Sequence, residues 1–137
     1  GIAPQSLKRA KDRIREITRR NRGRSLETVI QELNSFLKGW LNYFQLAACK
    51  DHLNELDGWI RRKLRCYRLK QRKRAKSIAD FLIGKNIPVG SAWRVALSGK
   101  GWWRLSLTPQ VHRAMSVKWF KYIGLLNLSE SYAALQQ

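Results

Sequence analysis

Acidic residues are scarce in this chain, which has 9 Asp and Glu against 28 Lys and Arg among its 137 residues, for a net charge of +19. An excess of this size makes a compact chain repel itself unless a polyanion neutralises it. Yet 44% of the residues are hydrophobic and six are tryptophan, which excludes a disordered basic tail. The composition therefore predicts a folded protein that binds a phosphate-bearing partner.

Cysteines and long apolar runs are also rare, and each shortage excludes a class of protein. Cys49 and Cys66 stand in no CxxC or Cys/His spacing, so we expect reduced thiols rather than a zinc site or a disulfide framework. No run of about 18 apolar residues is present, and the first residues lack the apolar segment of a signal peptide. The tryptophans are dispersed over several segments, so no membrane partner is expected.

The positive charge is concentrated in two blocks, residues 1–24 and 61–76. The second block has ten cations in sixteen residues and no acid, so its charge cannot be neutralised from within. We expect Arg61, Arg65, Arg68 and Arg72 to form an exposed stripe, and the whole block to project outward as one continuous ridge for a polyanion.

Apolar periodicity predicts three amphipathic helices in the first half of the chain, over about 5–22, 26–44 and 51–74. Gly23 is expected to end the first helix and Ser25 to cap the second. Asn34-Ser35 and Gly39 leave open whether the second segment divides into two helices. Three such helices with short connections predict a small bundle.

The second half of the chain has a lower charge density and shorter predicted helices. Thr108-Pro109 is a typical helix start, and that helix is predicted to run to about 123, with Ser129 capping a last turn. We therefore predict an all-α fold with a thumb-like helical bundle at 1–76, a linker with a short helix at 77–90, and a smaller helical subdomain at 91–137.

Three segments of the sequence are distinctive: FLKGWLNYF at 36–44, LDGWIRRKLR at 56–65 and NRGRSLE at 21–27. They resemble the C-terminal thumb and maturase region (domain X) of group II intron-encoded reverse transcriptases. GKGWWRLSLTP at 99–109 and the residues at 119–128 are similar to the segment of that family often assigned to DNA binding. The resemblance extends over nearly the whole chain.

The resemblance implies a domain that binds intron RNA, stabilises its active fold and promotes splicing, and that holds the primer-template within a larger reverse transcriptase. It implies a cytoplasmic or organellar ribonucleoprotein as the setting. The sequence has no Asp-Asp pair, so the two-metal polymerase site cannot be built from such a motif. We therefore expect no catalytic residue here, and a polymerase palm upstream, in cis or in trans. Magnesium is expected only in that palm and in the RNA, and no cofactor in this chain.

Arginine and lysine side chains are suited to phosphate, and exposed tryptophans to unpaired bases. Because adjacent residues cannot face the same way, only one of Trp102 and Trp103 is expected to pack in the core. The predicted nucleic-acid-binding residues are Arg61, Arg62, Arg65, Arg68, Lys70, Arg72, Lys73, Arg74, Lys76, Arg20, Arg22, Arg24, Lys100, Trp102, Trp103 and Arg104.

Other interpretations of the same residues stay open. Asp51, Glu55 and Asp57 could bind magnesium, although a solvated or ion-paired cluster is favoured. At the level of function, the alternatives are the thumb and DNA-binding part of an active polymerase and a generic basic protein, as in ribosomes, without preference for intron RNA.

Overall fold

A computed structural model describes residues 4–44 and 50–135, and within these ranges the chain is helical with no β-strand, which confirms the all-α prediction. The helices are α1 (Pro4–Ile17), α2 (Leu26–Phe44), α3 (Lys50–Arg72), α4 (Ala75–Gly84), α5 (Val89–Ala96), α6 (Trp102–Leu105), α7 (Pro109–Ala114), α8 (Val117–Tyr122) and α9 (Leu128–Leu135).

The prediction that Gly23 ends α1 is wrong, because the helix already ends at Ile17, whereas the predicted cap of α2 is confirmed. The Thr18 hydroxyl donates to the Ile14 carbonyl at 2.7 Å, and the chain leaves the helix after Ile17. Gly23 has a φ of +70°, a left-handed conformation that glycine adopts without a Cβ penalty. The Ser25 hydroxyl accepts from the Thr28 backbone N–H at 3.1 Å, which confirms Ser25 as the cap of α2.

Helix α2 runs unbroken from Leu26 to Phe44, so the possible division near Asn34 and Gly39 is excluded. The Asn34 side chain accepts from the Leu126 backbone N–H at 2.8 Å and donates to the Gly124 carbonyl at 2.7 Å. Both bonds point away from the backbone of α2. Asn34 therefore attaches the 124–126 connection to α2 instead of interrupting the helix.

One hydrophobic core extends from the first helices to the last. It includes fully buried side chains of the amino-terminal helices, such as Ile14 and Leu64, together with Val111 and Leu128 of the second half. Helix α3 packs against both α6 and α9. The core thus crosses the predicted 77–90 linker, and the division of the chain into 1–76, 77–90 and 91–137 stays a prediction.

The predicted helix from Thr108 to about 123 is wrong in its length, although its start is confirmed. The Thr108 hydroxyl accepts from the Val111 backbone N–H, with Pro109 in the first turn. Helix α7 then ends at Ala114, and Met115 takes a non-helical conformation in which its carbonyl accepts from Arg65 Nε at 3.0 Å. Ser116 caps the separate helix α8.

The start of α9 depends on a side chain far away in sequence. The buried Asp57 carboxylate accepts from the backbone N–H groups of Leu128 at 2.7 Å and Ser129 at 3.0 Å. Asn127 Oδ1 accepts from the Glu130 N–H at 3.0 Å, so Asp57 and Asn127, rather than Ser129, cap this helix. Burial raises the pKa of Asp57, while its two backbone donors act in the opposite direction.

Asp57 thus joins α9 to α3 and is not part of an exposed magnesium site. Across residues 4–44 and 50–135, no cluster of His, Cys, Asp and Glu is placed to hold a metal ion. Within the same ranges, no helix is both long enough and apolar enough to cross a membrane.

Replacing Asp57 with alanine should destabilise the fold by about 1–3 kcal/mol, because two buried backbone N–H groups would lose their acceptor. Chemical denaturation followed by circular dichroism measures this change. The matched control is Glu55→Ala on the same helix, where the side chain is exposed and the change should stay within about 0.5 kcal/mol. Equal stability of the two variants would contradict the capping role.

Candidate nucleic-acid interface

A cleft of about 590 Å³ lies between the α1–α2 connection and the carboxyl-terminal end of α3. Four of its lining residues are cations, two from each of the basic blocks recognised in the sequence. We call it the basic cleft. The lining residues are Arg20, Asn21, Gly23, Arg24, Ser25, Tyr67, Lys70, Gln71 and Lys73.

Tyr67 fixes the geometry of the basic cleft by binding the backbone of Arg24. Its hydroxyl donates to the Arg24 carbonyl at 2.6 Å and accepts from the Arg24 N–H at 3.1 Å. The same carbonyl also accepts from the Gln71 side-chain amide at 2.9 Å. The connection is therefore held against α3, and the cations of two segments more than 40 residues apart border one space.

The charge of the basic cleft is largely uncompensated. None of the ion pairs among the described residues involves Arg20, Lys70 or Lys73. Arg24 has only a long contact, with its Nε 4.0 Å from a carboxylate oxygen of Glu32. Positive charges in a concave surface focus their field and attract a polyanion. The basic cleft is therefore suited to bind phosphate groups.

Arg22 lies beside the basic cleft but is engaged within the fold. Its two terminal nitrogens donate to the Glu32 carboxylate at 2.9 Å each, and Nη1 also donates to the Ile17 carbonyl at 2.7 Å. The Arg22 guanidinium holds the pKa of Glu32 below its usual range. Arg22 thus closes the end of α1, and its predicted contact with nucleic acid stays a prediction.

The predicted continuous ridge over 61–76 is wrong, because the first part of this block is covered by the second half of the chain. Arg65 is only 3% exposed, and its guanidinium lies 5.4 Å from the Phe120 ring centroid. Burial is the main cause that lowers the pKa of Arg65 to about 10. The Met115 carbonyl is its hydrogen-bond acceptor. Arg65 is therefore a packing residue rather than part of an exposed stripe.

Arg62 attaches α6 to α3 in a similar way. Its Nη2 donates to the Trp103 carbonyl at 2.8 Å, and its Nε donates to the Ser106 hydroxyl at 3.0 Å. The guanidinium also stacks on Trp103, 3.6 Å from the ring centroid. Arg61 is half-buried on the same helix. This part of the block thus holds α6 and the following helices in place.

The remainder of the block changes direction at the end of α3. Arg68 and Arg72 lie 5.7 and 5.1 Å from the Phe81 ring centroid, and Arg72 is exposed. Lys73 then has a φ of +61°, which turns the chain into α4. Arg74 and Lys76 are exposed, and Lys76 pairs with Asp80 at 2.8 Å.

The adjacent residues Trp102 and Trp103 divide between core and surface as expected. Trp102 is half-buried and packs against the core, whereas Trp103 is 39% exposed. Lys100 and Arg104 are exposed and do not line the basic cleft. Of these four residues, Trp103 borders a second cleft.

That second cleft, of about 260 Å³, contains three residues that are absent from the predicted set of nucleic-acid-binding residues, namely Arg15, Trp59 and Lys63. We call it the aromatic cleft. In the sequence Arg15 does not differ from the other cations of α1, and Trp59 has no distinguishing neighbour, so only their convergence in space identifies them. The lining residues are Arg15, Thr18, Arg20, Trp59, Lys63, Cys66 and Trp103.

Cys66 is a free, buried cysteine, and Cys49 lies outside the described residues. Burial raises the pKa of the Cys66 thiol, and its Sγ donates to the Trp102 carbonyl at 3.4 Å. A buried thiol whose pKa is raised is a poor nucleophile.

The family profile for the maturase-specific domain of group II introns matches residues 7–82, which include every residue that lines the basic cleft. The chain belongs to this family. Maturase-specific domains have no catalytic site of their own, and membership implies a role in group II intron splicing, with the intron RNA as partner. No curated protein sequence matches this chain.

Replacing Tyr67 with phenylalanine should loosen the wall of the basic cleft, because both bonds to the Arg24 backbone would be lost. We expect a destabilisation of about 1–2 kcal/mol in urea denaturation and faster hydrogen exchange at the Arg24 amide. Tyr122→Phe is the control, since Tyr122 is 86% exposed. Unchanged exchange at Arg24 in the Tyr67 variant would refute this account of the cleft.

Proposed function

We propose that this maturase domain binds the phosphate backbone of group II intron RNA in the basic cleft and so stabilises the spliceable fold of the RNA. The observation that carries this proposal is the convergence of Arg20, Arg24, Lys70 and Lys73 on one cleft. Among the described residues, those that line it include no Asp or Glu. A guanidinium binds phosphate oxygens in pairs, and a lysine adds a mobile point charge.

The domain would act on splicing by mass action rather than by chemistry. A protein that binds the folded RNA more tightly than unfolded alternatives shifts the population toward the folded state. Cations on two elements, the α1–α2 connection and α3, allow RNA segments distant in sequence to be held together. The transesterification steps would remain the work of the RNA.

Recognition of the RNA should rest on shape and backbone rather than on base sequence. The major groove of an A-form helix is too deep and narrow for side chains to read. If about six phosphates are neutralised, the logarithm of the affinity should fall with the logarithm of salt concentration with a slope of about −4 to −5.

The same surface would hold the primer-template if the domain works within a larger reverse transcriptase, whose palm would act in cis or in trans. Magnesium would then belong to that palm and to the RNA. The exposed Lys100, Trp103 and Arg104 would be available to target DNA. The complex would be a ribonucleoprotein of the cytoplasm or of an organelle.

The double variant Lys70→Gln with Lys73→Gln should weaken binding to folded intron RNA, because two phosphate contacts would be lost. We expect the salt slope to shrink by about 2, and the affinity near 0.1 M salt to fall by about 10- to 100-fold. The control is Lys38→Gln with Lys118→Gln, which makes the same charge change at exposed positions outside both clefts. Filter binding over a salt series measures both quantities, and equal losses in the two double variants would refute the basic cleft as the site.

A competition assay separates intron binding from generic binding to RNA. Folded intron RNA should displace a labelled intron probe at lower concentration than a ribosomal RNA fragment of equal length. Equal displacement by both would favour the ribosomal-like alternative.

A further inference from the structure

The aromatic cleft lies next to the basic cleft, and Arg20 lines both. Its walls come from three parts of the chain, because Arg15 belongs to α1, Trp59 and Lys63 to α3, and Trp103 to α6. The two clefts are therefore neighbours on one positively charged face.

The aromatic cleft places positive charge between two indole rings. Lys63 Nζ lies 5.8 Å from the ring centroids of both Trp59 and Trp103. The Arg15 guanidinium lies 5.2 Å from the Trp59 ring. The Arg62 guanidinium also lies 3.6 Å from the Trp103 ring centroid, and Trp103 is 39% exposed. The cleft thus combines a held aromatic surface with cations, as sites for unpaired nucleotides do.

The charges around Lys63 are only partly compensated within the chain. Arg15 pairs with Asp12 at 3.0 Å, but none of the ion pairs among the described residues involves Lys63 or Arg20. Burial and then the neighbouring Arg20 lower the pKa of Lys63. A bound anion would relieve this repulsion, so the cleft favours a negatively charged ligand.

We propose that the aromatic cleft binds an unpaired RNA nucleotide, with its base against the indoles and its phosphate near Lys63 and Arg20. This inference rests on the proposed function, because the basic cleft would hold the adjoining duplex. A base inside a duplex is stacked on its neighbours, so only an unpaired base can reach an indole face. The preferred ligand is therefore a junction between an RNA helix and a single strand. An acidic peptide would use the cations but would leave the indole faces unused.

The experiment compares two RNAs with the same number of phosphates, a blunt-ended duplex and a shorter duplex with an unpaired tail. The tail carries 2-aminopurine next to the duplex, since its fluorescence falls when the base stacks. The protein should bind the tailed RNA about tenfold more tightly than the blunt RNA and should quench the 2-aminopurine. Trp103→Leu should abolish both effects and keep the affinity for the blunt RNA.

Trp93→Leu is the matched control, because Trp93 is half-buried and lines neither cleft. Lys63→Gln is a second test that keeps both indoles, and it should remove most of the preference for the tail even if Trp103→Leu fails to fold. Equal affinity of the unaltered protein for both RNAs, or a preference kept in Lys63→Gln, would overturn this inference. Binding of the blunt RNA that is insensitive to Lys70→Gln with Lys73→Gln would instead overturn the proposed function.

Discussion

A guanidinium can enter a protein interior only where acceptors or an aromatic face meet it, and this constraint organises the central helix α3. In the first half of its basic block, Arg62 and Arg65 donate to the carbonyls of Trp103 and Met115. Five and eight residues beyond Arg65, Lys70 and Lys73 border the basic cleft instead. The same type of charge therefore holds the fold together at one end of the block and is left for a ligand at the other.

The parts of the fold that were predictable from sequence are those with local signals. Ser25 and Thr108 cap helices that begin one residue later, as predicted, whereas Gly23 takes a left-handed conformation but lies six residues beyond the end of α1 at Ile17. The apolar periodicity of α1, α2 and α3 is equally local, and so these helices lie close to their predicted positions. The adjacency of Trp102 and Trp103 sufficed to predict that only one of them packs in the core.

The parts that were missed depend on partners far away in the chain. Asp57 caps a helix 71 residues later, Arg65 meets a carbonyl 50 residues later, and Asn34 binds a connection 90 residues later. The number of charges could not distinguish Arg65 from Lys70. Arg65 is buried because the later helices pack on it, and Lys70 is not covered by them. All four cations of the basic cleft are among the predicted nucleic-acid-binding residues. Their convergence on one cleft, however, depends on the contact between Tyr67 and Arg24.

The two clefts differ in their position relative to the residues that the family profile matches. The basic cleft lies wholly within residues 7–82, whereas the aromatic cleft takes Trp103 from beyond them. The later segment supplies the carbonyls that accept from Arg62 and Arg65, and its α9 start is capped by Asp57. The contact between Arg62 and Trp103 therefore has two consequences. It covers the first part of the basic block, and it fixes Trp103 at the wall of the aromatic cleft. Helix α6, which lies beyond the family match, therefore helps to line the aromatic cleft as well as packing against the core.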